Sequence, residues 1–376
     1  MTLPVALYVH WPYCSRICPY CDFNVTRDRG QASQRSLFDA ILSDLENQAA
    51  RIGPRRLVSL FFGGGTPSLL PPDWAAELIT RAKQLFPSTD DIEITLEANP
   101  TDAEIARYRG FRDAGINRLS LGVQSLDNTA LKFLGRNHSV REAIAGIETA
   151  QAVFGRVSLD LIYARPDQTL VNWRDELTQA AALGIEHISP YQLTIEATTA
   201  FGRAVRRGQW SSPDQDLGEA LYFETQATLE ALGFEAYEIS NHARGPQAPS
   251  MHNISVWRGI DYIGIGPGAH GRLTIDGQRQ ATIAVSDLKA YTARVREIGT
   301  GHGAEILTLE DAEEEAAMLG LRMAEGVALE RFRLLDLPTR ASPLIDDGFM
   351  ELTTTHLRAT LKGRVVLDRL LLELLS

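Results

Sequence analysis

At 376 residues the chain has room for one large domain and a smaller companion. Its 44% hydrophobic and 23% charged shares are those of an ordinary globular protein and exclude a disordered or low-complexity chain. A formal net charge of −11 argues against non-specific nucleic-acid binding, which needs a basic face to displace counterions.

The first segment, "MTLPVALYVH", has no basic stretch followed by a long apolar run, so it does not read as a secretory signal. No apolar run reaches the length of a membrane span; "VVLDRLLLELLS" is too short and is broken by charge. The cysteines, at positions 14, 18 and 21, are odd in number, which leaves one unpaired in any disulfide framework. The expectation is a cytoplasmic protein with reduced thiols, no nucleic-acid partner and no integral membrane segment.

One alternation fills the first two-thirds. "VALYVHW" (5–11) predicts a strand and "SQRSLFDAILSDLENQAARI" a helix. "RLVSLFF" precedes the helical "PPDWAAELITRAKQLF", and "DIEITLEAN" precedes "TDAEIARYRGFRDAG", where Thr101 and Glu104 have capping-box spacing. "NRLSLGVQ" leads to "SVREAIAGIETAQAVF", with Ser139 and Glu142 in the same arrangement. "VSLDLIYA" leads to "TLVNWRDELTQAAALG", and "HISPYQLTI" to "QDLGEALYFETQATLEALG". Six strand–helix units with nearly continuous apolar strands imply a parallel sheet under helices, either a partial barrel or a doubly wound open sheet. In both, the chemistry sits where the strands end. After Gly233 the pattern gives way to glycine- and proline-rich turns with short strands. From about residue 305 it reads as a small helical domain with a wing-like hairpin. The expected division is therefore 1–233 and 234–376.

Cys14, Cys18 and Cys21 follow the first strand on one tight loop. Three such thiolates can hold three irons of a [4Fe-4S] cluster, leaving the fourth iron open to a small molecule. A structural zinc ion with His10 as fourth ligand competes with this reading. The loop's spacing, with Tyr20 before the last cysteine, resembles the radical S-adenosylmethionine superfamily. There the open iron binds the amino and carboxylate groups of S-adenosylmethionine.

"FFGGGTPS" (61–68) ends the second strand. Its glycines let a ligand approach the backbone, but without a Gly-Lys-Ser/Thr it is no phosphate loop. Glu97 ends the third strand, where a carboxylate suits a ribose diol. Gln124 ends the fourth, Arg136 lies in "LGRNHS" and can fork onto a carboxylate, and Asp160 lies in "SLDLIY". Taken together, "YVHWPYCSRICPYCDFN", "FFGGGTPSLL", "ITLEANP", "RLSLGVQS", "LGRNHS", "SLDLIY", "SPYQLTIE", "YEISN", "HNISVW" and "YIGIGPGAHG" resemble the oxygen-independent coproporphyrinogen oxidase family across nearly the whole chain. The resemblance implies a partial (β/α)6 barrel with a smaller C-terminal α+β, winged-helix-like domain. It implies cluster ligands Cys14, Cys18 and Cys21, and S-adenosylmethionine contacts at Tyr8, Gly64, Gly65, Thr66, Glu97, Gln124, Arg136 and Asp160.

Decarboxylating members of that family carry a further cysteine two residues after the third; here Phe23 stands there. With "CPYCDFN" and "HNISVW", the chain is more similar to the haem-chaperone branch, the HemW type, whose members bind haem and pass it to acceptor proteins; the expected partners are haem and such acceptors, with room for membrane-associated ones. His252, which heads "HNISVW", is the first candidate haem ligand; His242 and His270 read better as structural histidines. Three departures stand out: Val256 in place of tyrosine, "IYARPDQT" where relatives read Gly-Leu-Pro, and no proline after Glu196. Three readings remain at this point: a haem chaperone, a true oxidase or related radical methyltransferase, and a zinc-stabilised protein.

Overall fold

The six expected strands form, and the computed structural model describes them within residues 2–28, 30–211 and 214–376. They are β1 (Pro4–Trp11), β2 (Arg56–Gly64), β3 (Glu93–Ala98), β4 (Arg118–Gln124), β5 (Arg156–Tyr163) and β6 (His187–Gln192). They lie side by side in chain order, every neighbouring pair parallel. Right-handed helical crossovers are what joins such strands. Helices Gln31–Ile52, Pro72–Leu85, Val140–Val153 and Leu170–Ala182 supply four of them.

The strands are less uniformly apolar than their sequences suggest. One alternating set, such as Val5, Leu7 and Val9 or Leu119 and Leu121, packs with the helices into the main core. The other set is polar: Glu93, Thr95 and Glu97 on β3, Arg118 and Ser120 on β4, Ser158 and Asp160 on β5, His187 and Ser189 on β6. A period of two with polar residues on one face means that this face lines a lumen and not a second helical layer. That is the partial barrel, and it removes the open-sheet alternative. A buried ion-pair network crosses the lumen: Glu93 accepts from Arg156 at 2.8 Å and Arg118 at 3.4 Å.

The sheet continues past residue 233. β7 (Glu235–Glu238) and β8 (Asn241–Ala243) add antiparallel strands beside β6, while β9 (Asp261–Ile265) returns to pair parallel with β1 on its free side. β10 (His270–Ile275), β11 (Gln278–Ala284) and β12 (His302–Ile306) complete twelve strands in that sheet. The change of composition near Gly233 thus marks a change from crossover units to mostly antiparallel strands within one sheet, β9 being the parallel exception. A second hydrophobic core begins at Ala317 and runs to Leu374 around a three-stranded antiparallel sheet of Val327–Ala328, Met350–Leu352 and His356–Ala359. This is the small C-terminal winged-helix-like unit.

Ser139 and Glu142 form the reciprocal cap expected of them. Thr101 and Glu104 do not. The helix there is split into Asp102–Ile105 and Tyr108–Asp113, and the Glu104 carboxylate turns inward. It accepts from the Asn99 backbone N–H at 2.7 Å and from the Ser68 hydroxyl, and the Thr101 hydroxyl reaches it only at 3.3 Å. It thereby ties the end of β3 to the turn after β2, where the candidate site begins.

Candidate cofactor site

The cysteine loop leaves β1 at Tyr13–Cys14, which pairs with Thr26–Arg27, so the loop closes on itself. Its return is held by Thr26 N–H to the Pro12 carbonyl (2.8 Å) and Asp28 N–H to the Cys14 carbonyl (3.0 Å). All three cysteines are free, Cys14 buried and Cys18 and Cys21 half-buried. The turn after β2 lies directly against this loop. Gly65 N–H donates to the Trp11 carbonyl and Thr66 N–H to the Tyr13 carbonyl, at 2.8 and 2.9 Å. A Cβ on Gly65 would stand 2.8 Å from the Tyr13 carbonyl oxygen; one on Gly64, whose φ is 107°, would stand 2.6 Å from the His10 ring. The two glycines are what lets the loops meet.

Cys14, Cys18, Cys21, Gly64, Gly65, Thr66, Glu97, Gln124, Arg136 and Asp160 all line one cavity of about 400 Å³ at the C-terminal ends of the strands. Gln124 reaches it through a left-handed backbone (φ 69°) at a register shift between β4 and β5. Burial pushes the Glu97 carboxyl up to about 8, the neighbouring Asp160 adding to the shift and the Gly64 N–H opposing it. Burial likewise raises Asp160 to about 6, against the hydroxyls of Ser189 and Ser120 and the charges of Arg118 and Arg136. Two enclosed acids in one cavity favour a ligand bearing hydroxyls and positive charge. Burial, followed by the neighbouring thiols, holds Cys14 up at about 11, although the Thr66 hydroxyl and Arg136 pull it down.

Arg136 departs from the role its sequence suggests. Instead of offering a free fork, its guanidinium donates to Cys18 Sγ (3.3 Å), the Tyr20 hydroxyl (3.4 Å), the Gly122 carbonyl (2.8 Å) and Asn99 Oδ1. It braces the cysteine loop from behind. Asn99, which sequence reasoning passed over inside "ITLEANP", also faces the cavity and bridges Arg136 and the Glu104 carboxylate (3.3 Å). Its place one residue beyond the strand that carries Glu97 was the available signal.

Tyr8 and His252 do not line this cavity, although Tyr8 lies near enough to Glu97 for that carboxylate to add to the upward shift that burial gives its hydroxyl. The Tyr8 hydroxyl donates to His10 Nδ1 (3.1 Å), and its ring lies 5.9 Å from His252. His252, on the helix Met251–Trp257, stacks on Phe61 at 4.4 Å, and its backbone N–H donates to Glu93 (3.1 Å). Burial lowers its imidazole to about 4, so the ring is neutral, and Nδ1 has no hydrogen-bond partner. The ring is closed in against Phe61 and Tyr8 on the barrel wall, so it offers no open nitrogen to the cysteine cavity. His242 is a structural histidine: buried, it bonds Gln226 through Nε2 (3.2 Å).

The zinc alternative fails on His10. Its Nε2–H donates to the Asn24 carbonyl (2.9 Å) and its Nδ1 accepts from Tyr8, so neither ring nitrogen is free for a metal. Among the described residues no three His, Cys, Asp or Glu side chains converge on a single-ion site. A [4Fe-4S] cluster makes a different demand, one thiolate per iron around a larger body, and three free thiols around an open cavity fit it.

Residues 8–179 match the radical SAM superfamily and residues 307–366 the HemN C-terminal domain. The chain is 38% identical to the mitochondrial radical S-adenosyl methionine domain-containing protein 1 of Bos taurus, over 99% of this chain and 87% of that one. It is 33% identical to the heme chaperone HemW of Bacillus subtilis, over 96% of each. The solved structure of coproporphyrinogen III oxidase (HemN) from Escherichia coli superposes with a TM-score of 0.84 at 23% identity, covering 100% of this chain and 91% of that one. That likeness is one of fold.

Proposed function

The chain belongs to the HemW-type family of radical S-adenosylmethionine proteins, and we propose that it is a haem chaperone, not a coproporphyrinogen oxidase. Cys14, Cys18 and Cys21 would hold a [4Fe-4S] cluster, with Gly64, Gly65, Thr66, Glu97, Gln124 and Asp160 facing S-adenosylmethionine and Arg136 bracing Cys18. When bound, a cluster with one open iron supplies a chelation point for the amino-acid end of S-adenosylmethionine and an electron source beside its sulfonium. The chain's own part is to hold three thiols apart on one loop, to offer the carbonyl oxygens of the Gly64–Thr66 turn, whose N–H groups are already engaged, and to set Glu97 where a ribose diol can donate to it.

The observation that carries the chaperone reading is Phe23. It stands two residues after Cys21, is 63% exposed and lines the rim of the cavity, where a decarboxylating relative would present a thiol. Haem acceptors are the implied partners. Among the described residues no helix is long and apolar enough to cross a membrane.

The test is an anaerobic purification followed by iron and sulfide analysis and a haem titration read at the Soret band. Stoichiometric haem binding with no protoporphyrinogen formed from coproporphyrinogen under reducing conditions is the expected result. Porphyrinogen turnover, or no haem bound by cluster-loaded protein, would overturn the proposal.

A further inference from the structure

Continuous with the cofactor cavity, and sharing Arg16, Ile17, Cys18, Cys21 and Phe23 with it, lies an open groove of about 680 Å³. Ile17, Phe23 and Phe133 give it an apolar surface, with Ile17 exposed and Phe23 more so. Phe133 is fixed from below by Phe201 (4.8 Å) and Trp210 (5.3 Å), so that wall is a rigid aromatic platform. Arg16, Lys132 and Arg203 edge the groove. None of the three takes part in a salt bridge among the described residues. In a chain of net charge −11, three unpaired cations around one apolar groove mark a seat for an anion with a large apolar body.

We propose that this groove seats haem, with the macrocycle against Ile17, Phe23 and Phe133 and its two propionates on Arg16, Lys132 and Arg203. The inference rests on the haem-chaperone reading and adds the place of binding. A planar porphyrin dianion matches the groove in both respects: an apolar face for the aromatic platform and two carboxylates for a cationic edge. No histidine lines the groove, and its two thiols, Cys18 and Cys21, are assigned to the cluster, so an axial position of the iron is left to a ligand from the acceptor. Arg203 Nη1 is fixed on the Thr198 carbonyl (2.6 Å), which holds that guanidinium at the rim.

The test uses the cluster-loaded full chain, titrated with hemin and with protohaem dimethyl ester, in wild type, an Arg16→Glu/Lys132→Glu double variant and His252→Ala. Iron content and the melting curve confirm that each variant is intact. The double variant is expected to lose about tenfold or more in hemin affinity, and the ester to bind wild type more weakly and ignore the charge reversal. His252→Ala should bind hemin as wild type does. Unchanged hemin affinity in the double variant overturns the groove, and a simultaneous loss in His252→Ala would put haem inside the barrel. If charge reversal spares haem binding and blocks only its delivery to an acceptor, the groove docks the acceptor and the proposal fails. If wild type binds no haem, the chaperone reading itself falls.

Discussion

Arg136 donates to Cys18 Sγ at 3.3 Å, across 118 residues of chain, and the same guanidinium holds the Gly122 carbonyl and Asn99. One side chain thus joins the cysteine loop to the ends of β3 and β4. Residues that orient a metal's ligands from behind typically account for about 10–100-fold in affinity. Arg136→Lys keeps the charge but cannot reproduce a planar fork. It should retain the fold and lose cluster by about that factor, read as iron per chain after dilution against a chelator. Full iron retention would show that the contact does not matter to the cluster.

Gly65 tests the contact between the two loops. A Cβ there meets the Tyr13 and Pro12 carbonyl oxygens at 2.8 and 2.9 Å, both backbone atoms with little freedom to move. Gly65→Ala should cost about 1–3 kcal/mol in unfolding experiments, as overpacking does, and weaken S-adenosylmethionine binding more than it lowers the melting temperature. Wild-type affinity by calorimetric titration would contradict this.

Glu97 gives a pH dependence. Its folded pKa of about 8 lies above the usual 4.5, so the native state holds a proton that the unfolded chain has lost across that interval. The associated stability is complete below pH 4.5 and is lost as pH rises through 8. In ligand-free protein the wild-type melting temperature should therefore fall, relative to Glu97→Gln, between pH 6 and 9. Parallel curves for the two proteins would refute the assignment.

The acid side depends on histidines. Burial pushes His138 and His242 down to about 4, so each contributes stability above pH 6.5 that disappears as pH falls towards 4. His242→Gln should flatten the acid limb of the stability profile measured by urea unfolding at pH 4.5 to 7, while lowering stability at pH 7. An acid limb as steep as wild type would contradict this.

The lumen network should be fragile to truncation. Glu93 is 1% exposed and faces Arg118, itself 2% exposed, and Arg156. Glu93→Ala leaves a buried guanidinium without its counter-charge and removes the acceptor for the His252 N–H. A loss of about 3–5 kcal/mol is expected from denaturant unfolding, against much less for the exposed pair Arg258–Glu325.

Much of this architecture was legible beforehand because it is local. β1 to β6 and their main crossover helices follow from periodicity over ten or twenty residues, and the Ser139–Glu142 cap from a spacing of three. The cysteine loop is likewise one short segment. Glu104 shows the limit of such reasoning: it accepts from the Thr101 hydroxyl at 3.3 Å but not from the Thr101 N–H, which goes to Asn99, and its shorter bonds come from Ser68 and the Asn99 N–H.

What the chain by itself determined was the set of donors: three thiols, two glycines, a threonine, two acids and a glutamine at strand ends, with Phe23 in place of a fourth thiol. What only the tertiary structure decided was which of them share a cavity. It engaged the Arg136 guanidinium with Cys18 and both His10 nitrogens with Tyr8 and Asn24, and it left Tyr8 and His252 out of the cavity's lining. The reason is physical. A motif fixes residue types along the chain, but a hydrogen bond goes to the nearest unsatisfied partner in space, and for Arg136 that partner, Cys18, lies 118 residues away.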